Sequence, residues 1–201
     1  MGTSEELRRI TMTPAARRAL AAAERLFYDR GIHAVGVDLI AAEAGVTKKT
    51  LYDRFGSKEQ IVVEYLADRD ERWRALLAEH LDAAPSGPRA RILAVFDASR
   101  AWMGENGSKG CSMVNAHAEI SDPAHPAHSV ITGQKRWMLD LFTRLAGEID
   151  GVGPEDADRL GRALMLLHEG ALVAHGLKVF PDPVARAREE ADALLAASAS
   201  G

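Results

Sequence analysis

Apolar residues recur at spacings of three and four along nearly the whole of this sequence, which is the period of an amphipathic α-helix. Almost no stretch alternates apolar and polar residues in the way that a half-buried strand does. Proline, glycine and capping residues divide the pattern at intervals. We therefore predict an all-α protein of about nine helices, near residues 14–30, 37–44, 48–55, 57–83, 88–104, 112–121, 122–149, 154–178 and 183–199.

The composition excludes several classes of protein. No apolar run approaches the roughly 20 residues that a membrane-spanning helix needs, and the N-terminus is polar, without the apolar core of a signal peptide. Cys111 is the only cysteine, which rules out an internal disulfide framework and a cysteine-rich zinc site. We expect a cytoplasmic protein with no membrane partner, no metal and no cofactor.

Charge is distributed unevenly along the chain. The formal net charge is −4, which argues against a protein that coats nucleic acid through general basicity. Residues 1–60 nevertheless hold two more basic than acidic residues, whereas the remainder holds six more acidic than basic ones. The positive excess is small, so only its placement on a particular surface can give it a role.

The turn at Gly45 joins two short predicted helices that follow one longer helix. Gly45 suits the end of the first short helix, and Thr47 suits the N-cap of the second. In that second helix Leu51 and Phe55 lie four residues apart, so both face the core. This order of elements is typical of a helix-turn-helix motif, whose second helix enters the major groove of DNA.

The remaining side chains of the short helix and its flanks form a polar and basic outer face. Lys48 and Lys49 suit guanine edges or phosphates, and Thr50 carries a methyl group that can contact thymine. Tyr52 and Lys58 suit phosphates, which fix register rather than sequence. The alternative is an ordinary solvated helix face, since isolated charges are common on surfaces. The residues themselves thus single out Lys48, Lys49, Thr50, Tyr52 and Lys58 as candidate DNA contacts.

Three neighbouring features complicate this assignment. Asp53 would repel phosphates, and it either pairs with Lys49 at i,i+4 or accepts a hydrogen bond from a cytosine amino group. Gly36, at the N-cap of the helix before the turn, offers no side-chain oxygen. Arg8 and Arg9 form either an arm toward DNA or part of a disordered polar tail.

The sequence from Leu26 to Leu66 resembles the DNA-binding domain of TetR-family transcriptional regulators. The resemblance implies seven candidate DNA contacts, namely Thr47, Lys48, Lys49, Thr50, Tyr52, Arg54 and Lys58. It also implies a helix-turn-helix domain at 1–60, with the helix at 57–83 as a connector, and an effector-binding and dimerisation domain at 61–201. The matching residues are Phe27, Gly31, Ile40, Ala41, Ala44, Gly45, Val46, Thr50, Leu51, Tyr52, Phe55, Ser57, Lys58 and Glu59.

The predicted eighth helix is apolar on two sides, so it needs two packing partners. One partner is the core of its own domain. The other, as the resemblance implies, is a second subunit in a homodimer, while a buried helix in a monomer is the alternative. Gly161, Gly170 and Gly176 are poor helix formers, and their presence predicts close approach of neighbouring helices.

The resemblance also implies a cavity for a small molecule among the middle helices. Aromatic, methionine and histidine side chains suit an adaptable cavity wall, and ordinary core packing is the alternative for each of them. The candidate ligand contacts are Trp102, Met113, His117, Trp137, Phe142 and His168, with Met103, Glu119, Met138 and His175 as further candidates.

These features predict a homodimeric transcriptional regulator, and specifically a repressor that an unknown small molecule releases from a palindromic DNA operator. The alternatives are a small helical enzyme or ligand-binding protein with an accidental helix-turn-helix, and an architectural DNA binder without ligand control. The sequence shows no phosphate-binding glycine motif and no evident nucleophile–base pair.

Overall fold

The structure is a computed structural model that describes residues 9–106 and 109–198. Those residues form nine helices and no strand, which confirms the predicted fold class. No helix in the described part of the chain is both long and apolar enough to cross a membrane. The helices are α1 (Pro14–Arg30), α2 (Val37–Ala44), α3 (Lys48–Phe55), α4 (Lys58–Ala83), α5 (Pro88–Asn106), α6 (Ser112–Glu119), α7 (Ala127–Gly147), α8 (Pro154–Leu177) and α9 (Pro183–Ser198).

The first three helices begin and end where the sequence predicts, because local signals set their limits. Thr13 caps α1 by accepting a hydrogen bond from the backbone amide of Ala16 at 3.3 Å. Gly45 ends α2 in the left-handed conformation, with φ 63° and ψ 39°. Gly36 precedes α2 and makes no side-chain capping bond, as its lack of a side chain predicts.

The segment before α7 differs from the prediction. α6 ends at Glu119 and α7 begins at Ala127, so the seventh helix, predicted from residue 122, starts five residues later than expected. Between them the chain turns, and the backbone amide of His125 donates to the carbonyl of Asp122 at 3.1 Å. The prolines in this stretch lack the amide hydrogen that a continuing helix would need.

Packing divides the described residues into two compact units. Unit 1 comprises the residues up to Arg69 together with Ser112–Gly133. Unit 2 comprises Asp70–Cys111 together with the residues from Gln134 onward. The predicted boundary after residue 60 divides the chain by role rather than by packing, and it stays a prediction.

In unit 1, α1, α2 and α3 pack against one another, and a buried carboxylate ties the segment before α1 to α4. Glu64 is fully buried, and it accepts hydrogen bonds from Arg9 Nε and from the backbone amide of Ile10, both at 2.8 Å. A buried charge is tolerated when it is paired in this way. Arg9 is therefore engaged within unit 1, while Arg8, the other residue of the suggested arm, lies outside the described residues.

In unit 2, α9 packs against both α5 and α8, and two glycines of α8 lie against neighbouring backbone. A Cβ atom at Gly161 would lie 2.8 Å from the Cα of Thr143 in α7. A Cβ atom at Gly176 would lie 2.9 Å from the carbonyl carbon of Lys109, whereas Gly170 has nothing within 4 Å. The predicted close approach of a neighbouring helix is confirmed at Gly161. At Gly176 the close neighbours are Lys109 and Gly110, which precede α6 and lie in no helix, and at Gly170 there is none within the described chain.

Candidate functional sites

The short helix α3, whose inner side is buried, presents most of the candidate DNA contacts. α3 begins at Lys48 after its N-cap Thr47, whose Oγ1 accepts a hydrogen bond from the Thr50 amide at 3.1 Å. On the inner side of α3, Leu51 is 1% exposed and Phe55 is 4% exposed. Because these two large side chains are buried four residues apart, the rotation of α3 about its axis is fixed and its other face meets solvent.

The solvent face of α3 carries six of the seven candidate contacts, counting the N-cap, and their contact with DNA stays a prediction. Thr50 is half-buried, as is Lys58, the first residue of α4. The exposed members of the set are Thr47, Lys48, Lys49, Tyr52 and Arg54.

Carboxylates hold both lysines at the start of α3. Lys49 Nζ lies 2.7 Å from Asp53 Oδ2, which is the i,i+4 pair that the sequence allowed. Lys48 Nζ lies 3.0 Å from the carboxylate of Asp38 in α2, and the hydrogen bond between them raises the pKa of Lys48. The second pair joins two helices, so sequence reasoning missed it, because no residue spacing signals such a contact.

Lys58 lines a small cavity of unit 1. The cavity has a volume of about 170 Å³, and its wall includes Lys58, Glu59, Glu119 and His125. Burial lowers the pKa of Lys58, against the opposing effect of the two glutamates. A phosphate contact by Lys58 would therefore draw this side chain away from two carboxylates.

Glu119, at the end of α6, is hydrogen-bonded to the turn that follows α1. Its Oε2 accepts a hydrogen bond from the backbone amide of His33 at 2.9 Å. Gly31 makes room for this carboxylate, since a Cβ atom there would lie 2.9 Å from the same oxygen. His117, also in α6, meets His128 edge-on at 5.7 Å between ring centroids. The described residues contain no group of three or more side chains placed to hold a metal ion.

Three candidate ligand contacts of unit 2 gather in one aromatic cluster. The buried ring of His168 lies 5.9 Å from both Phe96 and Phe142 and 6.5 Å from Trp73, measured between ring centroids. Trp102 meets Trp73 edge-on at 5.9 Å. The structure therefore brings Trp102, Phe142 and His168 together.

Trp137 belongs to a more polar part of unit 2. The guanidinium of Arg74 lies 3.8 Å from the centroid of the Trp137 ring, and Arg74 Nε donates to Asp70 Oδ2 at 2.8 Å. The other oxygen of this carboxylate, Asp70 Oδ1, is buried and has no hydrogen-bond partner among the described residues, and the same is true of Gln134 Oε1. Leaving a buried acceptor without a partner costs on the order of 1–3 kcal/mol of folding free energy. A ligand that donates hydrogen bonds to these two oxygens would remove that cost.

The two remaining candidate ligand contacts, Met113 and His117, lie on α6 and belong to unit 1. Met113 is buried, and His117 is exposed and in contact with His128. The six candidates are thus divided between the two units, and their contact with a ligand stays a prediction.

A buried Ser–His pair that sequence reasoning missed bears on the enzyme alternative. Ser99 Oγ lies 2.8 Å from His168 Nε2, and it also donates its proton to the carbonyl of Val95 at 2.8 Å. A hydroxyl has one proton, so a Ser99 that donates to Val95 can only accept from His168 and does not have it as its base. Both side chains are buried, which gives this pair a structural role in the core of unit 2.

Glu169 gives unit 2 a pH-dependent contribution to stability. Its carboxylate lies 2.8 Å from Lys135 Nζ, which also donates to Cys111 Sγ at 3.2 Å. Burial alone would raise the pKa of Glu169, but the hydrogen bond with His168 and the charge of Lys135 outweigh burial and lower this pKa to about 2. Because the folded pKa lies below the unfolded value, the stabilisation is complete above about pH 4.5 and is lost as the pH falls toward 2.

We expect Glu169→Gln to lower the free energy of unfolding on the order of 3 kcal/mol at pH 7, and by progressively less between pH 4.5 and pH 3. Urea denaturation across this range measures the difference between variant and wild type. Asp140→Asn, at an exposed position of α7, is the control and should show little difference at any pH. A loss from Glu169→Gln that stays constant with pH would contradict the assignment.

Unit 1 defines the class of protein. α2 and α3 are joined by a left-handed turn at Gly45, α3 is anchored by Leu51 and Phe55, and its outer face is polar and basic. This is the architecture of a helix-turn-helix DNA-binding protein, in which the second helix is exposed for the major groove.

Comparison with known proteins identifies the family. Residues 19–65 match the family described as bacterial regulatory proteins, tetR family. The crystal structure of a TetR-family transcriptional regulator from Streptomyces coelicolor superimposes with a TM-score of 0.83 and 34% sequence identity, over 92% of this chain and 96% of that chain. This chain belongs to the TetR family of transcriptional regulators, as the resemblance of Leu26 to Leu66 predicted.

Two curated relatives match over shorter segments. The transcriptional activator FasR of Mycolicibacterium smegmatis is 41% identical over 78 residues, which are 39% of this chain and 31% of FasR. The transcriptional repressor NemR of Escherichia coli is 28% identical over 126 residues, which are 62% of this chain and 63% of NemR. The chain thus spans less than two thirds of the length of either relative.

Proposed function

We propose that this protein is a homodimeric repressor that binds a palindromic operator through α3 and is released from it by a small molecule. The solvent face of α3 carries the proposal, because Leu51 and Phe55 fix the helix so that Lys48, Lys49 and Arg54 stand outward. Two such helices about 34 Å apart read successive major grooves on one side of the duplex. Of the two curated relatives, the activator FasR matches 39% of this chain and the repressor NemR matches 62%, and the proposal takes the sign of regulation from the longer match.

An apolar stripe on α8 supports the homodimer. Leu166 is 75% exposed and Leu177 is 71% exposed, and Val173 between them is also exposed. These residues share one helix face, and exposed Val179 and Phe180 follow the C-cap residue of α8. A contiguous exposed apolar patch of this kind marks an interaction surface. A second copy of the chain, related by a two-fold axis, would cover the patch and pair the recognition helices.

Unsatisfied acceptors in unit 2 support ligand control. Asp70 Oδ1 and Gln134 Oε1 would gain hydrogen bonds from a ligand that carries donors, and the Asp70 carboxylate is joined through Arg74 to the Trp137 ring. A ligand releases DNA only if it binds the released state more tightly than the operator-bound state. The proposed effector is therefore a small molecule with hydrogen-bond donors that favours the released state.

Selection from a random library of duplexes tests the DNA-binding part of the proposal. The wild-type protein should enrich a palindromic sequence at low salt, and a reporter with that sequence in its promoter should be repressed when the protein is present. Activation of the reporter would overturn the repressor assignment but not the operator. Failure to enrich any sequence would favour the enzyme or ligand-binding alternative.

We expect Lys48→Ala to change the preference among operator variants by roughly tenfold at one base pair of each half-site, because a lysine at a guanine edge supplies about 1–3 kcal/mol of discrimination. Fluorescence anisotropy with single-base operator variants measures this preference. Arg25→Ala is the matched control, since Arg25 is comparably exposed in the same unit but lies on α1. Equal losses on every operator variant would show that Lys48 contacts only phosphates.

A further inference from the structure

We propose that Asp38 and Asp53 are positioning residues of the DNA-binding surface, which aim Lys48 and Lys49 at base edges and away from phosphates. The inference rests on the proposed function of α3 as the recognition helix. It concerns a separate property, the ratio of operator affinity to non-operator affinity.

Each lysine is held from a different direction. Asp38, in the first turn of α2, reaches Lys48 at 3.0 Å, and Asp53, one turn along α3, reaches Lys49 at 2.7 Å. The side chains of Asp38 and Asp53 are 75% and 56% exposed, so each pair contributes little to folding. Their main effect is therefore on the direction and the partners of the two lysines.

The ammonium group of a lysine can donate hydrogen bonds to a carboxylate and to a DNA base at the same time. A lysine has three N–H donors, so one can remain on the carboxylate while another donates to O6 or N7 of guanine. The carboxylate then restricts a flexible side chain before DNA is bound. Because the side chains of Lys48 and Lys49 are already restricted, each loses less conformational entropy when it contacts a base.

The same carboxylates oppose phosphate contacts. A phosphate that approaches either lysine also approaches its carboxylate, and the two negative charges repel each other within the Debye length of about 10 Å at 0.1 M salt. Binding to non-operator DNA depends almost wholly on phosphates. Asp38 and Asp53 therefore weaken non-operator binding more than operator binding.

Replacement of each carboxylate by its amide tests the inference. We expect Asp38→Asn and Asp53→Asn each to raise the affinity for a scrambled duplex roughly threefold, and the double variant about tenfold, with operator affinity unchanged or lower. The salt dependence of binding to the scrambled duplex should become steeper, because freed lysines contact more phosphates. Anisotropy titrations between about 50 and 200 mM KCl, with the selected operator and its scrambled version, measure both effects.

Glu43→Gln is the matched control. It removes one negative charge from the same unit by breaking the Arg25–Glu43 pair, which also joins two helices at 3.1 Å, and it should leave the affinity ratio unchanged. Asp53→Glu keeps a carboxylate within reach of Lys49 and should retain the wild-type ratio. Operator and scrambled affinities that rise by the same factor, or that do not change, overturn the positioning role. A wild-type protein that selects no operator overturns the proposed function instead, before any variant is compared.

Discussion

Replacing Gly161 with alanine will lower the free energy of unfolding on the order of 3 kcal/mol. The added Cβ atom would overlap Thr143 Oγ1, and it would lie 2.8 Å from the Cα of Thr143 and 2.9 Å from its backbone nitrogen. Backbone atoms inside α7 cannot move independently, so α7 and α8 must separate along their contact. The cost of that separation outweighs the roughly 1 kcal/mol that alanine normally gains over glycine within a helix.

Gly170→Ala is the internal control for this prediction. Gly170 lies on the same helix and has nothing within 4 Å of its would-be Cβ atom, so alanine should stabilise the chain by up to about 1 kcal/mol. Urea denaturation of both variants separates packing from helix propensity, since the propensity change is the same. Two equal and small effects would show that α7 and α8 can separate at little cost.

The elements set by local signals were predictable from the sequence. α1, α2 and α3 have the predicted limits because Thr13, Gly45 and Thr47 act on the backbone within a few residues of themselves. The burial of Leu51 and Phe55 follows from helical phase alone, and it determines which side chains α3 presents to solvent. The sequence therefore predicts the recognition helix almost completely.

Contacts that join separate helices were not predictable in the same way. The Lys48–Asp38 and Ser99–His168 pairs depend on how elements distant in sequence pack, and no periodicity encodes that packing. Spacing did allow the Lys49–Asp53 pair, because both residues lie on one helix. A sequence pattern thus predicts which residues share a face, and tertiary packing decides which faces meet.

The candidate ligand contacts show the same limit. Residue type alone selected Trp102, Phe142 and His168, which cluster in unit 2, but it also selected Met113, which lies in unit 1. Residue type could not select Gln134, whose importance is that its Oε1 is buried without a partner. That property depends on the surroundings of the side chain rather than on its identity.

A substitution in the exposed apolar stripe of α8 is expected to have the second large effect, on dimerisation. Leu166→Asp should weaken dimerisation on the order of a hundredfold or more, because a two-fold interface would contain the substitution twice and each copy would bury an unpaired carboxylate. Within one chain the leucine is 75% exposed, so the helical content and the folding of the subunit should change little. Sedimentation velocity measures the oligomeric state, and circular dichroism checks the fold.

Loss of the dimer should also remove operator binding, because each subunit alone offers one recognition helix to a site with two half-sites. Leu166→Met is the matched control, since it keeps an apolar side chain of similar volume and should leave both dimer and operator affinity near wild type. If the Leu166→Asp protein remains a dimer, this stripe is not the interface, and the second packing partner of α8 must lie elsewhere. If it becomes a monomer but binds the operator as tightly as before, the pairing of recognition helices is not required for binding.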